Sequence, residues 1–102
     1  MSKFATKVLT EIKNIPYGKV TSYGQIALWA GRPRAAREVG WILNQNDNKD
    51  IPWWRVVNKE GRITFKGSRL FGPQDQIRAL KSEGVNVNNF QIDMKKYGYL
   101  KP

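Results

Sequence analysis

The amino-acid sequence predicts a small α+β domain, mostly α, with a helix-turn-helix followed by a small β-hairpin in a winged-helix-like layout. Three observations carry this prediction. Apolar residues recur at helical spacing from Phe4 to Leu43, interrupted by turn residues at Pro16-Tyr17-Gly18 and Gly31-Arg32-Pro33. Two short apolar or aromatic runs, Ile51–Val57 and Arg62–Phe65, flank the turn Asn58-Lys59-Glu60-Gly61. A chain of 102 residues without internal repeats supports one modest core, so the domain is expected to span residues 1–102.

The elements follow in order. Phe4, Val8, Ile12 and Ile15 after Ser2 predict an amphipathic helix that stops at Ile15-Pro16. Ser22 with Gln25 three residues on resembles a capping box. It opens a second helix through Ile26, Ala27 and Ala30, ending at Gly31. Pro33 suits the first position of a third helix through Ala35, Ala36, Val39, Ile42 and Leu43. Helices two and three form the expected helix-turn-helix, with Arg34 and Arg37 on the second of them; a plain helical hairpin with solvated arginines has the same spacing. Pro73 opens a last helix through Ile77 and Leu80 to Gly84, and Val85–Pro102 reads as a docked but irregular tail.

The charge balance names a class of partner. Eighteen Lys and Arg against eight Asp and Glu leave a formal charge of +10, which suits a polyanion such as nucleic acid. Cysteine and histidine are both absent, which removes thiol nucleophiles, disulfides, the usual zinc sites and imidazole bases together. The carboxylates are scattered and suggest no metal-dependent nuclease, so neither a metal nor a cofactor is expected. No apolar run approaches the roughly 20 residues that span a bilayer, and Met1–Leu9 lacks the apolar core of a secretory signal. The expectation is a cytoplasmic protein with no membrane association.

Three motifs in fixed order then carry a resemblance. Pro16-Tyr17-Gly18-Lys19-Val20-Thr21-Ser22-Tyr23-Gly24, Ala35-Ala36-Arg37-Glu38-Val39-Gly40 and Pro52-Trp53-Trp54-Arg55-Val56-Val57 together resemble the DNA-binding domain of O6-alkylguanine-DNA alkyltransferases. In that family the last motif reads Pro-Cys-His-Arg-Val, with cysteine accepting the alkyl group and histidine helping to activate it. Trp53 and Trp54 stand at those two positions, and an indole is neither a thiol nucleophile nor a titratable base. The sequence is therefore similar to the alkyltransferase-like proteins, whose members bind alkylated guanine and hand it to nucleotide excision repair.

The resemblance implies a non-enzymatic monomer that binds double-stranded DNA, flips an O6-alkylguanine into a pocket and recruits nucleotide excision repair proteins. Extruding a base costs a few kcal/mol, which a side chain filling the gap and a pocket holding the base must together offset. Arg37 matches the family's intercalating finger, and Tyr23 matches the tyrosine that crowds the target phosphate. Ala35, Ala36 and Gly40, flanked by Arg34 and Arg37, make a slim helix face suited to a minor groove about 6 Å wide, although small residues also let helices pack closely. Trp53, Trp54, Arg55, Val56 and Lys66 are assigned to the lesion pocket, with Trp53 as a wall or, alternatively, a core residue. Arg55 is expected to brace loops, and Lys66 to offer a cation to the base. Asn44 or Asn46 matches the family's helix-end asparagine, and Lys19, Lys59 and Arg62 are candidate phosphate contacts. The competing functions are a helix-turn-helix transcription regulator, a nonspecific DNA-binding protein, and an enzyme acting through Thr64 or Lys66.

Overall fold

The computed structural model describes residues 2–102. Its elements are α1 (Lys3–Lys13), β1 (Thr21–Ser22), α2 (Tyr23–Trp29), α3 (Ala36–Gln45), a 3₁₀ turn at Trp53–Arg55, β2 (Val56–Val57), α4 (Pro73–Ser82) and α5 (Met94–Tyr97). The mostly helical α+β class is as expected. No helix among the described residues is long and apolar enough to cross a membrane.

Local chemistry sets the helix ends. The Ser2 hydroxyl accepts from the Ala5 N–H at 3.0 Å and the Ser22 hydroxyl from the Gln25 N–H at 3.1 Å, so each serine caps a helix, the second as one half of the expected capping box. Helix α2 closes on Gly31 at φ +98°, with the Gly31 N–H donating to Leu28 and the Arg32 N–H to Ala27. That is a Schellman arrangement, which needs a left-handed residue at its centre. Helix α3 starts later than expected. Pro33 lies outside it, in a turn that the Ala35 N–H closes on the Arg32 carbonyl at 3.0 Å. A proline's locked φ suits the second position of such a turn equally well, and the sequence does not separate that place from the first position of a helix.

The strands correct a larger expectation. Ile51–Val57 and Arg62–Phe65 do not form a β-hairpin: β2 pairs in parallel with β1, Thr21 opposite Val56 and Ser22 opposite Val57. The chain does reverse where expected, with the Asn58 N–H donating to Arg62 at 3.1 Å, but then diverges. Gly61, at φ +85°, lies so close to the Ile92 carbonyl that no Cβ fits between them. The second run is extended, with Ile63 and Phe65 buried and Arg62, Thr64 and Lys66 exposed, and it bonds to the tail through the Ile63 N–H and the Phe90 carbonyl at 2.8 Å. The tail is docked, as expected. It supplies an added bridge, with the Val20 N–H donating to Tyr97 at 2.9 Å and the Tyr99 N–H to Val20 at 2.7 Å.

These two short strands sit between two apolar clusters. Helices α1, α2 and α3 close over Trp53, Val56 and Phe65 on one side; α4 and the tail close over Val20, Val57, Ile63 and Leu80 on the other. Consecutive residues of a strand point to opposite faces, so Val56 and Val57 divide between the clusters. The pairing also carries the start of α2, and with it Tyr23, beside the segment that follows the Trp-Trp motif.

Candidate functional site

A hollow of about 380 Å³ opens between the start of α2, the exposed face of α3 and the extended Thr64–Lys66 segment. Tyr23, Gly40, Phe65 and Lys66 wall it, with Arg37 and Asn44 on the α3 side. Ala36, Arg37, Gly40 and Asn44 recur at three- and four-residue intervals, so one stripe of α3 faces it. Gly40 keeps it open: a Cβ there would lie 3.9 Å from the Tyr23 ring, and any longer side chain would enter the space. Burial pushes the Tyr23 phenol above its usual pKa, partly offset by a hydrogen bond with the Thr64 side chain, so it stays a neutral hydroxyl. The hollow thus combines two cations, a neutral phenol, an amide and an apolar floor.

Six residues were expected to meet DNA: Tyr23, Arg34, Ala35, Ala36, Arg37 and Gly40. Four of them line the hollow, while Arg34 and Ala35 line a separate depression on the other flank of α3, together with Trp41 and Glu38. Arg37 belongs to both depressions and forms the ridge between them. Of the two candidate asparagines, Asn44 reaches the hollow; Asn46 caps the far end of α3 and lines the groove between α1 and α3.

The residues assigned to a lesion pocket are not gathered around this hollow. Of Trp53, Trp54, Arg55, Val56 and Lys66, only Lys66 lines the hollow. Trp53 is buried at 5 % exposure, one layer behind Phe65, with ring centroids 4.8 Å apart and Phe71 at 5.1 Å on its other side. It is therefore a supporting wall, and Phe65, which sequence reasoning missed, is the aromatic surface in front. Val56 is wholly buried. The alternation of Ile63, Thr64, Phe65 and Lys66 signals that Thr64 and Lys66 share an exposed face, but it sends Phe65 to the core side, so no local pattern shows that Phe65 also reaches the hollow.

Trp54 and Arg55 belong to a brace. Arg55 donates to both Glu83 oxygens, Nη2 at 2.7 Å from Oε2 and Nε at 3.0 Å from Oε1, and its Nη1 donates to the Ile15 carbonyl at 2.8 Å. Glu83 also accepts from the Gly18 N–H at 2.9 Å and from the Trp54 indole N–H at 2.8 Å. Trp54 therefore has a polar role, as a donor to an acceptor-only carboxylate. Burial raises the Glu83 pKa, but the Arg55, Gly18 and Trp54 donors together outweigh it and hold the carboxyl below its usual range. A second buried polar residue assists: the Gln76 amide donates to the Trp54 and Val56 carbonyls at 3.1 and 3.0 Å. The Pro16-Tyr17-Gly18 turn, the Trp-Trp segment and the end of α4 are thereby locked to one another. Two candidate phosphate contacts are engaged within the chain, Lys19 with the Lys96 carbonyl and Arg62 with that of Asn89, while Lys59 is exposed.

Comparison with known proteins shows the family and the fold. The model of the 6-O-methylguanine DNA methyltransferase DNA-binding domain matches residues 3–85. A DNA base-flipping protein of Vibrio parahaemolyticus is 39% identical over 99 residues, covering 95% of this chain and 96% of that protein. Alkyltransferase-like protein 1 of Schizosaccharomyces pombe is 39% identical over 98 residues, covering 95% and 88%. The crystal structure of S. pombe Atl1 in complex with damaged DNA containing O6-carboxymethylguanine superposes with a TM-score of 0.89 at 35% identity, over 100% of this chain and 98% of that one. Mycobacterium tuberculosis OGT in complex with DNA matches at a TM-score of 0.73 and 33% identity, over 81% of this chain and 50% of that one. The chain belongs to the family of the 6-O-methylguanine DNA methyltransferase DNA-binding domain, as an alkyltransferase-like member.

Proposed function

We propose that this protein is a non-enzymatic sensor of alkylated DNA: it binds the duplex, rotates an O6-alkylguanine into the hollow beside Tyr23 and holds it there unrepaired. The observation that carries this reading is the hollow itself, sized within the range of roughly 300–1,000 Å³ usual for small-molecule sites and lined by Arg37, Lys66 and Phe65 in a chain without cysteine. The relatives support it, since one is named for base flipping and another is bound to damaged DNA. Arg37 stands on the ridge where it can fill the space left in the stack, Tyr23 crowds the backbone at the entrance, and Phe65 packs against the extruded base. Lys66 and Asn44 supply hydrogen bonds to its edge. Among the described residues lining the hollow, the groups that could accept an alkyl group are the Thr64 hydroxyl, the Tyr23 phenol and the Lys66 amine, and no thiol, imidazole or carboxylate stands with them to react or to activate one.

Release of the site to nucleotide excision repair proteins completes the proposal and rests on the alkyltransferase-like resemblance. The decisive experiment is competition between a plain duplex and the same duplex carrying O6-methylguanine, with the methyl group radiolabelled. Preference for the lesion with all label retained in the DNA supports the reading. Equal affinity for the two duplexes leaves a nonspecific DNA-binding domain, and label on the protein or lost from the DNA makes it an enzyme. The hand-over is tested by adding the protein to a reconstituted excision reaction, where faster incision at the lesion is expected.

A further inference from the structure

Of the four tryptophans, Trp41 alone keeps most of its side chain in solvent, at 63 % exposure, although the hollow makes no use of it. It lies on α3 one turn beyond Arg37, and positions four apart on a helix are neighbours on one face. Together with Arg34, Ala35, Arg37 and Glu38 it lines a shallow depression of about 650 Å³ on the flank of α3 away from Tyr23. Glu38 is engaged with Arg32 at 3.1 Å, which leaves the two remaining guanidiniums to set the sign of the charge there. On Trp41's other side the groove between α1 and α3 is lined by no Lys or Arg among the described residues, and its two carboxylates, Glu38 and Asp47, are paired with Arg32 and Arg69. The cations that line a depression beside this indole, Arg34 and Arg37, are therefore all on one side of it, the side that suits a polyanion.

We propose that Trp41, with Arg34 beside it, is a second DNA-contacting element: an apolar wedge on the duplex next to the damaged site that adds affinity and carries no lesion preference. The inference rests on the reading that this face of α3 meets the DNA. Minor-groove proteins use apolar side chains in this way, packing them on the sugar walls or partly between base steps while flanking cations hold the phosphates. Because Arg37 separates this depression from the hollow, the indole meets nucleotides that are the same in plain and alkylated DNA. The two flanks of one helix then divide the work, one gripping any duplex and the other testing the guanine.

The test compares the native protein with Trp41→Ala and Trp41→Phe by fluorescence anisotropy, on a plain duplex and on the same duplex with O6-methylguanine. Trp41→Ala is expected to weaken binding to both by the same factor, roughly five- to a hundred-fold, with the ratio between the duplexes unchanged. Trp41→Phe restores most of the loss. An unchanged melting temperature shows that the effect is on binding, because an exposed side chain contributes little to folding. No loss on plain duplex, or a loss confined to the alkylated one, overturns the proposal. A native protein without lesion preference would sink the sensor reading instead, and the plain-duplex arm would still decide the role of Trp41.

Discussion

In the proposed reading, base binding rests on single positions such as Gly40 and Arg37. Glycine inside a helix costs roughly 0.5–1 kcal/mol relative to alanine, so its place in the middle of α3 is explained by space and not by helix formation. Gly40→Leu is expected to hold or raise the melting temperature while abolishing preference for alkylated DNA, because the new side chain occupies the hollow under the Tyr23 ring. Retained preference in that variant would place the base elsewhere. Arg37→Ala removes the ridge residue shared by both depressions. A fluorescent base analogue at the target should then report less extrusion, with a change of only about one in the slope of log affinity against log salt. An unchanged extrusion signal would take Arg37 out of that role.

The Gly18 turn, the Trp-Trp segment and the end of α4 are held by buried polar contacts that stabilise one arrangement of the three. Glu83, with its side chain 5 % exposed and Arg55 at 13 %, ties the Gly18 turn, the Trp54-Arg55 segment and the end of α4 together. Removing one member of a buried pair leaves the other charge without a partner, a loss of about 3–5 kcal/mol, and Glu83→Gln should fall near the lower end because it keeps the shape. The pH dependence has a defined sign. A carboxyl whose folded pKa is lowered stabilises the fold above its unfolded value and loses that contribution as pH falls through the folded one. Denaturation of the native protein and Glu83→Gln should therefore differ most near neutral pH and converge in acid. A gap that stays constant down to about pH 2 would refute the assignment. Gln76→Leu takes a donor from the Trp54 and Val56 carbonyls but also removes the Gln76 Oε1, which is buried without a partner, so the net cost should be on the order of 1–3 kcal/mol, read from urea midpoints.

The excess of ten positive charges acts through the molecule as a whole. Log affinity for DNA should fall linearly with log salt, with a slope of about −0.9 per phosphate neutralised, for plain and alkylated duplexes alike. Parallel lines offset by the lesion preference are expected from titrations across salt. Lines that converge at high salt would mean that the preference itself is electrostatic, against a hollow that recognises the base by shape and stacking.

Much of this was legible in the residues. Ser2, Ser22, Gly31, Pro73 and Gly84 mark helix ends through interactions that act within a few residues, and all five lie where their local chemistry puts them. The absence of cysteine and histidine and the charge narrowed the chemical class, and the ordered motifs around Tyr23, Arg37 and Trp53 pointed to the family. Local rules could not choose strand partners. Val56 and Val57 satisfy the same period whether they pair with Arg62–Phe65 or with Thr21-Ser22, and the choice falls to the clusters closing on either side. The depth of a side chain is likewise a sum over distant neighbours. Only the tertiary structure could therefore set Trp53 behind Phe65, engage Arg55 with Glu83, and turn Trp41 outward beside Arg34.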